Sequence, residues 1–262
     1  MRNLIGETET LETALPSAGR LTELEPRSGT NGGVGESSVQ AVRILPAGPI
    51  PREDRLCRAL NVAVALLGLI LALPLMIVIA ILVKLSSPGP IFFTQPRVGL
   101  DSRRNLLGST NHRREVDYGG KIFRIYKFRT MRVTPETRQV WATPDDPRVT
   151  PVGRFLRRYR LDELPQLINV LRGEMNVVGP RPEQPEIFME LRNRIENYAW
   201  RQRVLPGITG WAQINQHYDR SLEDVERKLA FDIEYLERRS WREDLRIMLR
   251  TVPVILLRRG GW

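Results

Sequence analysis

The sequence predicts an α+β protein, mostly helical, in which a membrane-inserted hydrophobic helix precedes a cytosolic domain. Residues 59–83 contain no charged side chain, and about twenty apolar residues are enough to cross a bilayer as a helix. Residues 121–132 alternate as a strand does. Residues 184–203 repeat apolar side chains at helical spacing. One apolar helix is therefore followed by a mixed remainder in which helix dominates.

Composition divides the chain into three parts. Residues 1–50 are poor in aromatic residues, rich in Gly, Ser, Thr, Glu and Pro, and without a sustained period. Such a segment cannot bury enough apolar surface to fold, so we expect a disordered N-terminal extension. Residues 51–85 hold the apolar run, and residues 86–262 form the cytosolic domain. Residues 101–120 are polar, basic and glycine-containing, which predicts an inserted surface loop.

The basic charge predicts an anionic partner. The chain carries a net charge of +10; residues 1–50 contribute −2, from four Arg and six Glu, so the rest carries +12. This balance favours nucleic acid, a phosphorylated small molecule or an anionic membrane surface. No helix-turn-helix, zinc or RNP-type motif is present, so nucleic acid is not expected. The single cysteine, Cys57, excludes an internal disulfide framework and fits a reducing compartment.

Two features of the apolar run argue against a simple membrane crossing. Pro74 lies near its middle, where proline removes a backbone donor and kinks or breaks a helix. Both flanks are basic, whereas a spanning helix is expected to show an asymmetry of charge. A helical hairpin over 51–85 that enters and leaves the same leaflet explains both features. A straight spanning helix and a buried core helix remain open alternatives.

The strand at 121–132 places two cations on one face. Lys127 and Arg129 are two residues apart, so their side chains point the same way and could bind one diphosphate. A solvated edge strand protected by its charges is the alternative.

Adjacent carboxylates, Asp162 and Glu163, follow a run of arginines that includes Arg157. Carboxylates beside guanidinium groups stay ionised and can serve as nucleophiles or metal ligands. Arg181 follows between two prolines in a rigid turn, and guanidinium groups bind phosphate oxygens in bidentate fashion. These residues predict a phosphate-handling site. The alternatives are that Asp162 caps a helix ending at Gly173, and that Arg181 is solvated on a structural turn.

Three helices are predicted after this stretch. Residues 184–203 carry apolar side chains that we interpret as packing residues: Ile187, Leu191, Ile195 and Tyr198. A second helix covers Leu222–Arg238. Residues 241–262 mix Trp, Leu, Met and Val with arginines, which suits a helix in the membrane interface or one that covers the core.

Several motifs together resemble one known family. They are SPGPIF at 87–92, YKFRTM at 126–131, LDELPQL at 161–167, NVLRGEM at 169–175, VGPRP at 178–182 and PGITGWAQIN at 206–215. Their wording and order resemble the bacterial sugar transferases, the monotopic phosphoglycosyl transferases, also called polyprenyl-phosphate hexose-1-phosphate transferases. The resemblance covers roughly three quarters of the chain.

The resemblance implies a function and a location. It implies an enzyme of the bacterial inner membrane, anchored by a re-entrant helix broken at Pro74, with its catalytic domain facing the cytoplasm. Such an enzyme moves a sugar 1-phosphate from a nucleotide diphospho-sugar, most often a UDP-sugar, to polyprenyl (undecaprenyl) phosphate through an aspartyl-phosphosugar intermediate. This step initiates exopolysaccharide or other glycoconjugate synthesis. Membrane lipids are further partners, and the oligomeric state stays open, a homodimer included.

The resemblance also implies roles for individual residues. Asp162 would be the nucleophile and a ligand of Mg²⁺, which prefers one or two carboxylates plus phosphate oxygens. Glu163 would either hold Mg²⁺ with Asp162 or orient the acceptor. The cations that would bind the diphosphate are Lys127, Arg129, Arg157 and Arg181.

The chain departs from the family's pattern at several positions. Asn61 and Leu73 replace the usual Asp and Ser of the apolar helix, and Leu205 replaces a cation before Pro-Gly. Gln216 and His217 stand where Gly-Arg is usual. These departures leave an alternative open, in which the chain is a membrane-tethered pseudoenzyme or scaffold of a polysaccharide assembly complex. The intact acidic pair, Asp162 and Glu163, argues against that alternative.

Overall fold

The computed structural model describes residues 55–102, 118–133, 146–216 and 221–256. Within these ranges seven α-helices and two small sheets follow one another, which confirms the mostly helical α+β class. The helices are α1 Arg55–Ser86, α2 Pro151–Arg158, α3 Gln166–Leu171, α4 Pro185–Arg194, α5 Trp211–Asn215, α6 Leu222–Arg238 and α7 Trp241–Leu256. The strands are β1 Phe92–Val98, β2 Ile122–Phe128, β3 Asn176–Val178 and β4 Gly207–Thr209. Predictions for residues 1–50, for most of 101–120 and for His217 lie outside the described residues.

Helix α1 is a single apolar helix of 32 residues with Pro74 inside it. One stripe of its surface is buried against the rest of the domain: Cys57, Asn61, Ala65, Met76, Ile79 and Val83. Only 17% of its most apolar window is buried, so most of its leucines and isoleucines face outward. The helix is long and apolar enough to cross a membrane. The break at Pro74 and the re-entrant path stay predictions.

Both ends of α1 are bonded to the globular domain. Near its start, the guanidinium of Arg58 donates to the carbonyl oxygens of Val170 at 2.5 Å and Met175 at 2.9 Å. At its end, Arg129 donates to the carbonyls of Ser87 at 2.6 Å and Val83 at 3.3 Å. The last carbonyls of a helix lack partners within the helix, and here the Arg129 guanidinium donates hydrogen bonds to them. The domain therefore contacts α1 at both of its ends.

Strands β1 and β2 form an antiparallel hairpin that packs behind α1. Their register pairs Phe92 with Phe128 and Val98 with Ile122. Phe123, Ile125 and Phe128 are buried. Buried and exposed side chains alternate as far as Ile125. The alternation then stops, because Lys127 is half-buried and its neighbour Phe128 is buried. The predicted strand at 121–132 is therefore shorter, because the ladder with β1 ends at Phe128, and Met131 forms an isolated bridge with Val149 instead.

Strands β3 and β4 pair in parallel, with Asn176 opposite Gly207 and Val178 opposite Thr209. Beyond β3, Gly179 donates to the Thr209 carbonyl and Gly207 donates to the Pro180 carbonyl, both at 2.9 Å. A Cβ at Gly179 would overlap the backbone of Leu205 and Gly207, so only glycine permits this approach. This contact fixes the start of the Gly179–Pro182 turn, which carries Arg181.

The later helices follow the predictions in part. Helix α6 has the predicted bounds, which confirms that prediction. The predicted helix at 184–203 divides into α4 and a 3₁₀ turn at Tyr198–Arg203, because Asn197 adopts a left-handed backbone conformation with φ of 62°. Of the predicted packing residues, Ile195 and Tyr198 are buried in one cluster and Leu191 packs against it, which confirms their role, whereas Ile187 is half-buried and does not belong to the cluster.

Asn61 joins α1 to the two elements beside it through a fully buried set of hydrogen bonds. Its Oδ1 accepts from the backbone amides of Val177 at 2.7 Å and Val178 at 3.1 Å. Its Nδ2 donates to Asp244 Oδ2 at 2.8 Å, and the Tyr235 hydroxyl donates to the other oxygen of Asp244 at 2.8 Å. One amide side chain thus connects the apolar helix with β3 and α7.

Replacing Asn61 by leucine tests this connection. Asn61→Leu removes a partner from two buried amides and from a buried carboxylate, so we expect a loss of about 2–4 kcal/mol in the free energy of unfolding. Denaturant unfolding of the detergent-solubilised chain measures it. The control is Asn215→Leu, because Asn215 is exposed and bonds only to a carbonyl of its own helix. Equal losses in the two variants would contradict the role of Asn61.

Candidate active site

A tight turn after α2 brings the acidic pair to the inside of the domain. Thr150 caps α2 by accepting from the Gly153 amide at 2.9 Å. Arg160 then takes a left-handed conformation, with φ of 53°, and reverses the chain into a 3₁₀ turn at Leu161–Glu163. A non-glycine residue in that region costs of order 1–3 kcal/mol, and such strain is concentrated at functional sites.

The helix after the acidic pair differs in part from the prediction. Helix α3 begins at Gln166, with Pro165 at the capping position, which excludes the alternative that Asp162 caps this helix. The 3₁₀ turn separates Asp162 from the helix start. Gly173 has φ of 76° directly after the helix, which confirms it as the C-terminal stop.

Glu163 is the centre of the cationic cluster. Its side chain is buried, and its Oε1 accepts from Lys127 at 2.8 Å and from Arg181 at 2.6 Å. Arg160 lies 3.6 Å from the other oxygen. Burial alone would raise the pKa of Glu163, but Arg181, Lys127 and Arg160 outweigh it and hold the pKa well below its ordinary value. Glu163 therefore stays ionised and organises three cations.

Asp162 lies in a different electrostatic environment. Its side chain is 8% exposed, and no hydrogen bond or ion pair engages its carboxylate within the part of the chain that the structure describes. Burial raises the pKa of Asp162 and the neighbouring Glu163 raises it further, while Lys127, Arg157 and Arg181 act in the opposite direction. The two adjacent acids thus have pKa values pushed apart, a pattern that assigns different roles to them.

The structure separates the remaining predicted cations. Arg157 projects from α2 and donates from Nε to the Thr130 hydroxyl at 2.9 Å, close enough to favour the ionised form of Asp162. Arg129 does not join the cluster. Its guanidinium lies on the carbonyls at the end of α1, because β2 ends at Phe128 and the shared face of Lys127 and Arg129 ends with it.

A second group of charges, which the sequence motifs did not indicate, lies behind the Arg181 turn. Arg97 donates to the Pro182 carbonyl at 2.9 Å. Arg201 donates to the Arg181 carbonyl at 3.0 Å and pairs with Glu183 at 3.2 Å. The spacing Tyr198-x-x-Arg201 and the Glu after the second proline are the signals that could have found this group.

The donor set suits a magnesium ion only when a phosphate completes it. No group of three or more His, Cys, Asp or Glu side chains that could hold a metal occurs among the described residues. Asp162 offers a hard oxygen donor that no described side chain engages, whereas the oxygens of Glu163 already meet Lys127, Arg181 and Arg160. Mg²⁺ is commonly held by one or two carboxylates plus phosphate oxygens. The residues present therefore fit Mg²⁺ as a partner of a bound diphosphate.

Comparison with known proteins finds relatives that are named as sugar-1-phosphate transferases. The chain is 44% identical over 208 residues to the UDP-glucose:undecaprenyl-phosphate glucose-1-phosphate transferase of Escherichia coli (strain K12), covering 78% of this chain and 41% of the relative. A protein of the same name from Caulobacter vibrioides is 40% identical over 224 residues, covering 84% and 77%. Exopolysaccharide production protein ExoY of Sinorhizobium fredii is 36% identical over 235 residues, covering 84% and 91%. The chain spans about two fifths of the length of the Escherichia coli relative.

A family model described as bacterial sugar transferase matches residues 52–258. That range contains α1, both sheets and the whole Asp162–Glu163 cluster. On this match and these relatives, the chain belongs to the bacterial sugar transferase family, as its motifs predicted.

Proposed function

We propose that this chain transfers a sugar 1-phosphate from a UDP-sugar to undecaprenyl phosphate, the first step of exopolysaccharide synthesis. The names of its relatives supply the donor and acceptor classes. The observation that carries the proposal is the contrast within the acidic pair. Glu163 is engaged by three cations, whereas Asp162 is buried beside them with a carboxylate that no described side chain engages.

The geometry supports a two-step transfer. An oxygen of Asp162 attacks the β-phosphorus of the UDP-sugar; the bond to the bridging oxygen breaks, and its electron pair leaves with UMP. An oxygen of the lipid phosphate then attacks the same phosphorus, and Asp162 leaves as the free carboxylate. Burial raises the pKa of Asp162, and a more basic carboxylate is the better nucleophile once ionised.

The cations have separate tasks in this proposal. Lys127 and Arg181 meet at Glu163, so they present fixed positive charge beside the carboxylate that attacks. Charge held in place before the reaction stabilises the transferring phosphoryl group without reorganisation. Arg157 adds a third cation near Asp162. Asp162 would hold Mg²⁺ together with oxygens of the diphosphate, and the ion would supply neutralisation of the diphosphate charge.

Contacts at both ends of α1 support a re-entrant anchor. Arg58 contacts the domain near the start of the helix, and the carbonyls of Val83 and Ser87 contact it at the end. A helix that crossed the bilayer would leave one of its ends on the side away from the domain. The outward face of α1 is apolar, and α7 adds Trp241 and Leu249, exposed and beside arginines. This arrangement suits a domain seated on the cytoplasmic face of the inner membrane.

Asp162→Asn tests the covalent step. We expect the variant to release no UMP from a UDP-sugar without acceptor and to retain no label from a donor carrying a labelled β-phosphate, because an amide cannot form the acyl phosphate. The wild-type chain should do both. Asp224→Asn, at the start of α6 and away from the cluster, is the control and should behave as the wild type.

Robust transfer by Asp162→Asn would exclude the covalent route. A wild-type chain that releases no UMP across a broad panel of UDP-sugars would favour the scaffold alternative.

Single cysteines at the ends of α1 test the path of the helix. In a Cys57→Ser background, Leu56→Cys and Leu85→Cys place thiols at exposed positions near the two ends. In intact spheroplasts a membrane-impermeant maleimide should label neither thiol, and after permeabilisation it should label both. Labelling of one end from outside would show a spanning helix.

A further inference from the structure

Arg201 is the largest fully buried side chain in the part of the chain that the structure describes. It is 2% exposed, and its guanidinium pairs with Asp232 at 2.9 Å, with Glu183 at 3.2 Å and with the Tyr198 hydroxyl at 2.5 Å. Lys228 also pairs with Glu183, at 3.0 Å. Two acids and two bases therefore form a compact network beneath the surface.

The same guanidinium reaches the turn that carries Arg181. Nη2 of Arg201 donates to the backbone carbonyl of Arg181 at 3.0 Å, while the side chain of Arg181 extends to Glu163 at 2.6 Å. The next residues of the turn are held as well: the Pro182 carbonyl by Arg97 and the Glu183 carbonyl by the Val98 amide, both at 2.9 Å. Three successive backbone carbonyls, those of Arg181, Pro182 and Glu183, are thus each held by a hydrogen bond.

The charge of the network favours the observed position of Arg201. Burial alone would raise the pKa of Glu183, but Lys228, Arg201 and Arg97 outweigh it and lower the pKa. Glu183 therefore stays ionised and holds Arg201 in place. Packed apolar residues would often stabilise a protein as well as such a buried ion network does, which indicates that the network does more than add stability.

We propose that Arg201 is a positioning residue, which fixes the backbone of Arg181 from behind so that the Arg181 guanidinium lies on Glu163 beside Asp162. The inference rests on the proposed function for its effect on turnover. Arginine suits this task, because its planar guanidinium can donate hydrogen bonds to a carboxylate and to a backbone carbonyl at the same time in a fixed geometry. Lysine at this position would keep the positive charge but lose the planar set of hydrogen-bond donors.

The test is a double-mutant cycle on the full chain in detergent, with a UDP-sugar and undecaprenyl phosphate. Arg201→Lys should lower kcat/KM by about tenfold or more, because a displacement of about 1 Å in a reacting group can cost that much. In an Arg181→Ala background, Arg201→Lys should change kcat/KM by less than about twofold, because the residue it positions is gone. Equal losses in both backgrounds, or no loss in either, would overturn the proposal.

Two further variants separate positioning from folding. Phe188→Leu loosens the packing around Tyr198 without touching a charge, so it should lower the unfolding temperature and leave kcat/KM within about twofold. If Arg201→Lys does not fold, Glu183→Gln takes its place in the cycle, and the same non-additivity is expected with a smaller loss.

A second readout needs no substrate. An arginine-specific dicarbonyl reagent, followed by peptide mass spectrometry, measures how fast Arg181 reacts. Arg181 should react faster in Arg201→Lys than in the wild type or in Phe188→Leu, because it no longer rests on Glu163. An unchanged rate would overturn the proposal. If the wild-type chain proves inactive toward UDP-sugars, the proposed function fails and this rate alone decides on Arg201.

Discussion

Glu163 is a buried carboxylate on which three separate parts of the chain meet. Lys127 arrives from the end of β2, Arg181 from the turn after β3, and Arg160 from the strained residue before the 3₁₀ turn. A carboxylate buried without partners would be too costly to keep ionised, so these cations are a condition of the fold. The same arrangement leaves Lys127 and Arg181 beside Asp162, so the interactions that hold the turn together also set the charge around the neighbouring acid.

The apolar helix α1 belongs to the same unit. Ala65 packs against Val170 and Met175, and Val83 packs against Phe128 and Leu156. Arg58 and Arg129 bond the two halves of the helix to the domain through backbone carbonyls. The elements that carry the acidic pair and Lys127 therefore rest directly on the helix that would enter the bilayer. A lipid-linked acceptor at the membrane surface would meet the cluster from the side on which it is anchored.

The motifs predicted the centre of the candidate site and failed at its edges. The cluster of Lys127, Glu163 and Arg181 was predicted because local patterns place each residue at an end or turn. Arg129 was misplaced because the period of a strand says nothing about where its ladder stops, and because free carbonyls at the end of α1 compete for its guanidinium. Arg97 escaped because its hydrogen bond to the Pro182 carbonyl joins positions 85 residues apart, which no local pattern shows. Arg201 and Glu183 lie only 18 residues apart, but their spacing alone does not indicate that they pair.

The hydrogen bonds of Asn61 couple the position of helix α1 to the rest of the domain. Its side chain is bonded at once to β3, the strand that leads into the Arg181 turn, and to Asp244 of α7. A rotation or tilt of α1 in response to bilayer thickness would therefore pull on that strand through two short hydrogen bonds. A change in the lipid environment would then reach the turn that carries Arg181 through one amide side chain.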